Sequence, residues 1–340
     1  MSVELSDIQE SARQIAADLG LAASEEKTWP LIVELGLMQV VVPEALGGLG
    51  QGLAGACALY RELGASLASG PYLAAMLAID AICASERTDR EAWVEKLAAG
   101  EFVTASLAQA ALQMSGKRAS GSLSAVLSAD KASHVLALSN DCIALVPLSH
   151  DKVKLAHRPT FDGTRRLFDV RVEGLELTDD LVLATGAAAQ QLAQRFLSHR
   201  DFALAADAVG GANASLTATV EYLQGRRQFA RPLAMFQALK HRCADLKMQT
   251  AAADALLTDS LGRVDWNDLD TAQRLGEAVK LLACTTYSRM VEESLQLHGG
   301  IGMTAEFSVH LFLKRALLDE QLGRGGDTYE QDLAAQLLAG

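Results

Sequence analysis

From about residue 4 to 100, apolar positions recur every three or four residues, which predicts amphipathic helices interrupted at Gly and Pro. One interruption, Gly36-Leu-Met-Gln-Val-Val-Val-Pro-Glu-Ala-Leu-Gly-Gly-Leu-Gly50, is expected to end a helix at Gly36, run through a β-branched segment and close in a glycine-rich turn. Between about 101 and 182 the period shortens. His134-Val-Leu-Ala-Leu, Cys142-Ile-Ala-Leu-Val and Leu167-Phe-Asp-Val-Arg-Val are short, partly β-branched and separated by turn residues, as in a small β unit. Helical periodicity returns from about 186, in segments near 187–225, 233–260, 266–296, 306–320 and 328–339, the pattern of an antiparallel bundle. The expectation is a mainly α protein with a small β domain, divided at 1–100, 101–185 and 186–340. No internal repeat or low-complexity tract disturbs this order.

Composition narrows the function classes. A chain of 340 residues that is 50% hydrophobic buries a substantial core, and a net charge of −12 disfavours nucleic acid or an anionic membrane as main partner. A local basic patch for a phosphorylated ligand stays compatible with that balance. Aromatic residues at 5% are too sparse for a base-stacking surface. Five scattered cysteines without CxxC spacing suggest neither a disulfide framework nor a zinc site. The acidic start Met-Ser-Val-Glu-Leu-Ser-Asp lacks a signal pattern, and no apolar run approaches the roughly 20 residues that span a bilayer, so a cytoplasmic protein with no membrane span is expected.

Two segments carry candidate chemistry. Arg226-Arg-Gln-Phe229 ends a long helix, and Phe236-Gln237 opens the next one after Pro232. A guanidinium is a planar, permanently charged fork suited to a pyrophosphate, and a glutamine amide both donates and accepts. The alternative is a helix hairpin whose arginines are merely solvated. In Gln296-Leu-His-Gly-Gly-Ile-Gly302, paired glycines let backbone amides approach a ligand, although most such loops only cap helices. His298 alone reads as a packed imidazole rather than a catalyst.

Together these pieces resemble the acyl-CoA dehydrogenase family from end to end. The matching segments are Val42-Pro-Glu-Ala-Leu-Gly-Gly-Leu-Gly50, Asp162-Gly-Thr-Arg165, Arg226 to Gln237 with Ala244-Asp245, and Gln296 to Gly302 followed by Thr304-Ala-Glu306, in the family's order and spacing. The resemblance implies an N-terminal helical domain, a middle β-barrel-like domain and a C-terminal four-helix bundle. It also implies FAD shared across a subunit interface, its ADP part held in the neighbouring subunit by Arg226, Gln228, Phe229, Gln237, Gln296, Gly299 and Gly300. An acyl-CoA substrate and an electron-transfer flavoprotein partner come with the family.

Departures from the family matter as much. The stretches Val103-Thr-Ala-Ser-Leu-Ala-Gln-Ala and Ser120-Gly-Ser-Leu-Ser-Ala-Val stand where a complete enzyme carries its two flavin-facing loops, and they match neither. Dehydrogenation needs a carboxylate beside the α-carbon. Ungapped counting places Gly323 at the family's usual base position and Arg200 at the alternative one, with Asp201 next door. A step of about 100° along the helix turns Asp201 to another face. Tyr329-Glu330 offers a displaced candidate base, Glu330, which otherwise serves the first turn of a final helix.

Three functions fit. One is the shorter, non-catalytic subunit of a heteromeric dehydrogenase acting on bulky, for example steroid-derived, acyl-CoA thioesters, in which a catalytic partner completes a heterotetramer. The second is a self-sufficient homodimer or homotetramer with Glu330 as an atypical base. The third is a non-catalytic scaffold that binds no flavin.

Overall fold

The computed structural model describes residues 5–108, 112–115 and 117–339. Residues 1–4 of the amino-terminal reading, and Gln109 and Ala110 of the 103–110 stretch, lie outside the described residues.

Five helices come first: α1 (Leu5–Leu19), α2 (Glu25–Glu34), α3 (Gly52–Ala65), α4 (Tyr72–Ala84) and α5 (Arg90–Ala98). α4 is buried almost all round, as its Ala-, Leu- and Ile-rich sequence requires. In the segment after Gly36 the β-branched residues form a 3-10 helix over Leu37–Val41, and a second short one covers Glu44–Leu46. Packing favours this form: Leu37, Met38, Val40 and Val41 all enter the core, and among the described residues no strand pairs with them.

Eight strands follow: β1 (Val103–Ala105), β2 (Leu112–Ser115), β3 (Arg118–Leu127), β4 (His134–Leu138), β5 (Cys142–Pro147), β6 (Val153–Arg158), β7 (Leu167–Glu176) and β8 (Val182–Thr185). They make two four-stranded sheets, ordered β1-β4-β5-β8 and β2-β3-β7-β6, with β1 and β4 the parallel pair. Alternate residues of both sheets, among them Leu123, Val135, Val146 and Val170, share one core, giving the barrel-like middle unit.

The C-terminal part contains α6 (Gly186–Gly225), α7 (Gln237–Arg263), α8 (Leu269–His298), α9 (Val309–Gln321) and α10 (Gly326–Ala339). Between α6 and α7, β9 (Arg227–Gln228) and β10 (Arg231–Pro232) form a small hairpin. α6 runs through the centre of the molecule. Its small residues admit close neighbours: a Cβ on Gly210 would lie 2.0 Å from the Arg61 carbonyl oxygen of α3.

Where the three parts meet, a buried charge network lies within the apolar core. Arg315 of α9 donates through Nε to Asp162 at 3.0 Å and through Nη1 to Asp207 of α6 at 3.3 Å, and through Nη2 to the Ala68 carbonyl at 3.2 Å. Arg165 pairs with Asp207 at 3.1 Å and with Asp319, and Tyr72 donates to Asp207 at 3.3 Å. Burial opposes ionisation of Asp162, but the Arg315 guanidinium overcomes it and holds the carboxyl below its usual range. Asp319 goes the other way: burial, reinforced by the charge of Asp207, raises it well above that range despite Arg165. The Asp162–Arg165 segment noted in the sequence is therefore a junction of the fold.

Candidate functional site

The seven residues expected at the ADP end gather on the surface of the bundle. Arg226 follows the last residue of α6, Gln228 and Phe229 lie on the β9–β10 hairpin, Gln237 opens α7, and Gln296, Gly299 and Gly300 lie at the end of α8 and in the 3-10 turn Gly299–Met303. All seven are exposed. Arg226 has no side-chain hydrogen bond or ion pair among the described residues. Gln237 shares a hydrogen bond with His241 at 3.2 Å, one turn along α7.

Local physics shapes each arm. Phe229 and Ala230, the two central residues of the hairpin turn, have φ of 51° and 61°, a left-handed pair costly for side chains other than glycine. That turn holds the Phe229 ring out, 85% exposed. Gly299, at φ 66° and ψ −151°, needs to be glycine for its conformation. Gly300 does not. Its φ is ordinary and a Cβ there would meet nothing within 4 Å, so nothing in this chain requires glycine at 300, and the position suits close approach from outside. Around these arms Met235 and Met303 are 57% and 70% exposed, an apolar margin beside unpaired cationic charge.

The positions expected to carry a base lie elsewhere and look different. Gly323 and Arg200, the two family positions, converge in space: a Cβ on Gly323 would lie 2.8 Å from Arg200 Nε. Arg200 is 1% exposed and fully used. Its Nε donates to Asp201 at 2.8 Å, Nη1 to the Leu107 carbonyl at 2.8 Å and Nη2 to the Tyr329 hydroxyl at 3.0 Å. Tyr329 in turn donates to Asp201 at 2.7 Å. Burial opposes the charge of Arg200, but Asp201 and Tyr329 outweigh it and hold the guanidinium protonated. Burial, then the charge of Asp201, push the Tyr329 phenol well above its usual range.

The expectation that Asp201 faces away is thus corrected. The long arginine side chain curls back, so adjacent residues on one helix meet over a shared partner. Lys280 of α8 closes the cluster, donating to the Arg324 carbonyl at 2.7 Å and lying 4.7 Å from the Tyr329 ring centre. Tyr329 thereby reaches the place its sequence neighbour was suspected of serving, whereas Glu330 is exposed on α10. Reading the sequence missed Lys280 and Leu107, because nothing local marks residues that meet across more than 40 positions.

The arrangement fits one end of a dinucleotide flavin and not the other. An exposed unpaired guanidinium, glutamine amides and an open glycine turn suit an ADP group. At the flavin-facing stretch, by contrast, Ser106 and Leu107 are buried and the Leu107 carbonyl is bonded to Arg200. Among the described residues no cluster suits a metal ion, and no helix is long and apolar enough to cross a membrane.

Comparison with known proteins gives the family. Residues 5–101 match the acyl-CoA dehydrogenase N-terminal domain and residues 190–336 the acyl-CoA dehydrogenase C-terminal domain. Acyl-CoA dehydrogenase IpdE2 of Mycobacterium tuberculosis is 34% identical over 310 residues, covering 91% of this chain and 85% of that protein. Among solved structures, the Tcur3481-Tcur3483 steroid ACAD G363A variant superposes with a TM-score of 0.87 at 26% identity, covering 99% of both chains. The ChsE4-ChsE5 complex from Mycobacterium tuberculosis shares the fold, with a TM-score of 0.89 at 21% identity, covering 100% of this chain and 99% of that one. With matching domains at both ends and a full-length relative above the level that defines kinship, this chain belongs to the acyl-CoA dehydrogenase family of FAD-dependent oxidoreductases.

Proposed function

We propose that this chain is the non-catalytic subunit of a heteromeric acyl-CoA dehydrogenase. Arg226, Gln228, Phe229, Gln237, Gln296, Gly299 and Gly300 bind the ADP portion of an FAD whose ring is held by a catalytic partner. The observation that carries this reading is an asymmetry: a buried, fully bonded arginine stands where the base is expected, while the ADP-facing residues stand open. The bound flavin supplies the electron acceptor for α,β-dehydrogenation of the thioester. This chain contributes orientation and charge: the guanidinium neutralises pyrophosphate, and the glutamine amides with Phe229 fix the nucleotide.

The names of two structural relatives, each a pair of different proteins and one described as steroid, favour a heterotetramer acting on a bulky, steroid-derived acyl-CoA. The domain division at 1–100, 101–185 and 186–340, an electron-transfer flavoprotein as acceptor and a cytoplasmic location complete the proposal. Glu330→Gln tests where the base lies. In the complex with the catalytic partner, turnover should stay within about twofold of wild type. A fall of roughly 100-fold or more, the size expected for a lost general base, would assign the base to this chain.

A further inference from the structure

Tyr222 lies in the last turn of α6, and its carbonyl accepts the Arg226 N–H at 2.8 Å. Its hydroxyl donates to the His298 carbonyl at 3.2 Å, immediately before Gly299. One residue therefore bonds to the segment bearing Arg226 and to the segment bearing the glycine pair. The rings reinforce the tie. Tyr222 stacks on the His298 imidazole with centroids 4.3 Å apart and planes 17° from parallel, and Phe307 packs edge-on against both, at 5.3 and 5.6 Å. His298 is itself fixed, with Nδ1 2.8 Å from the Ser294 carbonyl. Gly302 folds back so tightly that a Cβ there would lie 2.9 Å from His298 Cβ.

We propose that Tyr222, stacked on His298, is a positioning residue that sets the spacing between the Arg226 guanidinium and the Gly299–Gly300 backbone, and through it the affinity for the ADP group. The inference rests on the ADP-binding role assigned above. A pyrophosphate must be met by both arms at once, and such hydrogen bonds are productive only within about 0.5 Å and 10–20° of the right geometry. A residue bonded to one arm through its backbone carbonyl and to the other through its hydroxyl, with its ring stacked on His298, supplies that constraint without touching the ligand.

The test is titration of ADP into the purified chain, followed by saturation-transfer NMR so that millimolar affinities are readable, with thermal melts to check folding. Tyr222→Ala should weaken ADP roughly tenfold, and Tyr222→Phe, which keeps the stack, about threefold or less. Because Tyr222 acts through Arg226, the double variant Tyr222→Ala/Arg226→Ala should be weaker than wild type by clearly less than the product of the single effects. If Tyr222→Ala does not fold, Tyr222→Phe is coupled to Arg226→Ala in the same way. Effects that multiply, or an unchanged affinity in the Tyr222 variants while Arg226→Ala weakens ADP, overturn the positioning role and leave the ADP-binding role standing. No ADP signal at millimolar concentration, or no effect of Arg226→Ala, overturns both.

Discussion

Two arginines along α6 stand in opposite states. Arg200, mid-helix, is 1% exposed and donates to three different acceptors; Arg226, just past the C-terminus, is exposed and its side chain has no partner among the described residues. A buried guanidinium is tolerated only when paired and hydrogen-bonded, so Arg200 belongs to the fold. An exposed arginine beside an open glycine turn contributes little to the fold and is available to a ligand. The positions at which the resemblance places a base are filled by Arg200 and its partners, and the positions it assigns to ADP stand open.

The largest expected effect comes from breaking the closed region. Arg200→Ala leaves Asp201 buried beside Tyr329 without its cation and should destabilise the chain by about 3–5 kcal/mol, read from the melting temperature. Gly323→Glu, which restores a carboxylate at the usual base position, should cost about 2–4 kcal/mol, since its φ is +78° and the side chain meets Arg200. Combining Gly323→Glu with Arg200→Ala should be less damaging than the sum, because the clash and the orphaned space cancel in part. Additive losses would mean that the two positions do not share one space.

In the open region the pattern reverses. Arg226→Ala should leave stability within about 0.5 kcal/mol of wild type, yet lower flavin retention in the assembled complex by roughly tenfold or more, as expected for a lost charge-assisted contact. A substantial fall in melting temperature would instead make Arg226 a structural residue like Arg200.

The smallest effect is expected at the three-part junction. Burial and the charge of Asp207 hold the Asp319 carboxyl above its usual range, so Asp319→Asn, which removes a charge the fold disfavours, should cost no more than about 1 kcal/mol. The sign with pH follows from linkage. Its folded pKa lies above the unfolded value, so its contribution is complete below about pH 4 and is lost as pH rises towards the folded pKa. The melting temperature of the Asn variant relative to wild type should therefore rise as pH rises above about 4. Asp162 behaves oppositely, its support lost as pH falls below about 4 towards its depressed folded pKa.

How much of this was legible in the sequence depended on range. The C-terminal helices follow from apolar periodicity to within a few residues, except that α7 begins at Gln237 because Leu233–Met235 form a 3-10 turn after Pro232. β3 was harder to see, since its Ser-, Gly- and Ala-rich sequence has little strand character, and two register shifts in its pairing with β7 break the alternation. The residues proposed to face ADP were visible as short motifs. The Arg200 cluster was not, because Arg200 and Tyr329 meet across 129 positions and periodicity is silent about such contacts.

The most direct measurement is the visible absorption spectrum of the chain purified alone and again after co-purification with its catalytic partner. The account predicts a colourless chain alone and a stoichiometric flavin band only in the complex. A full flavin band in the isolated chain would contradict the divided site.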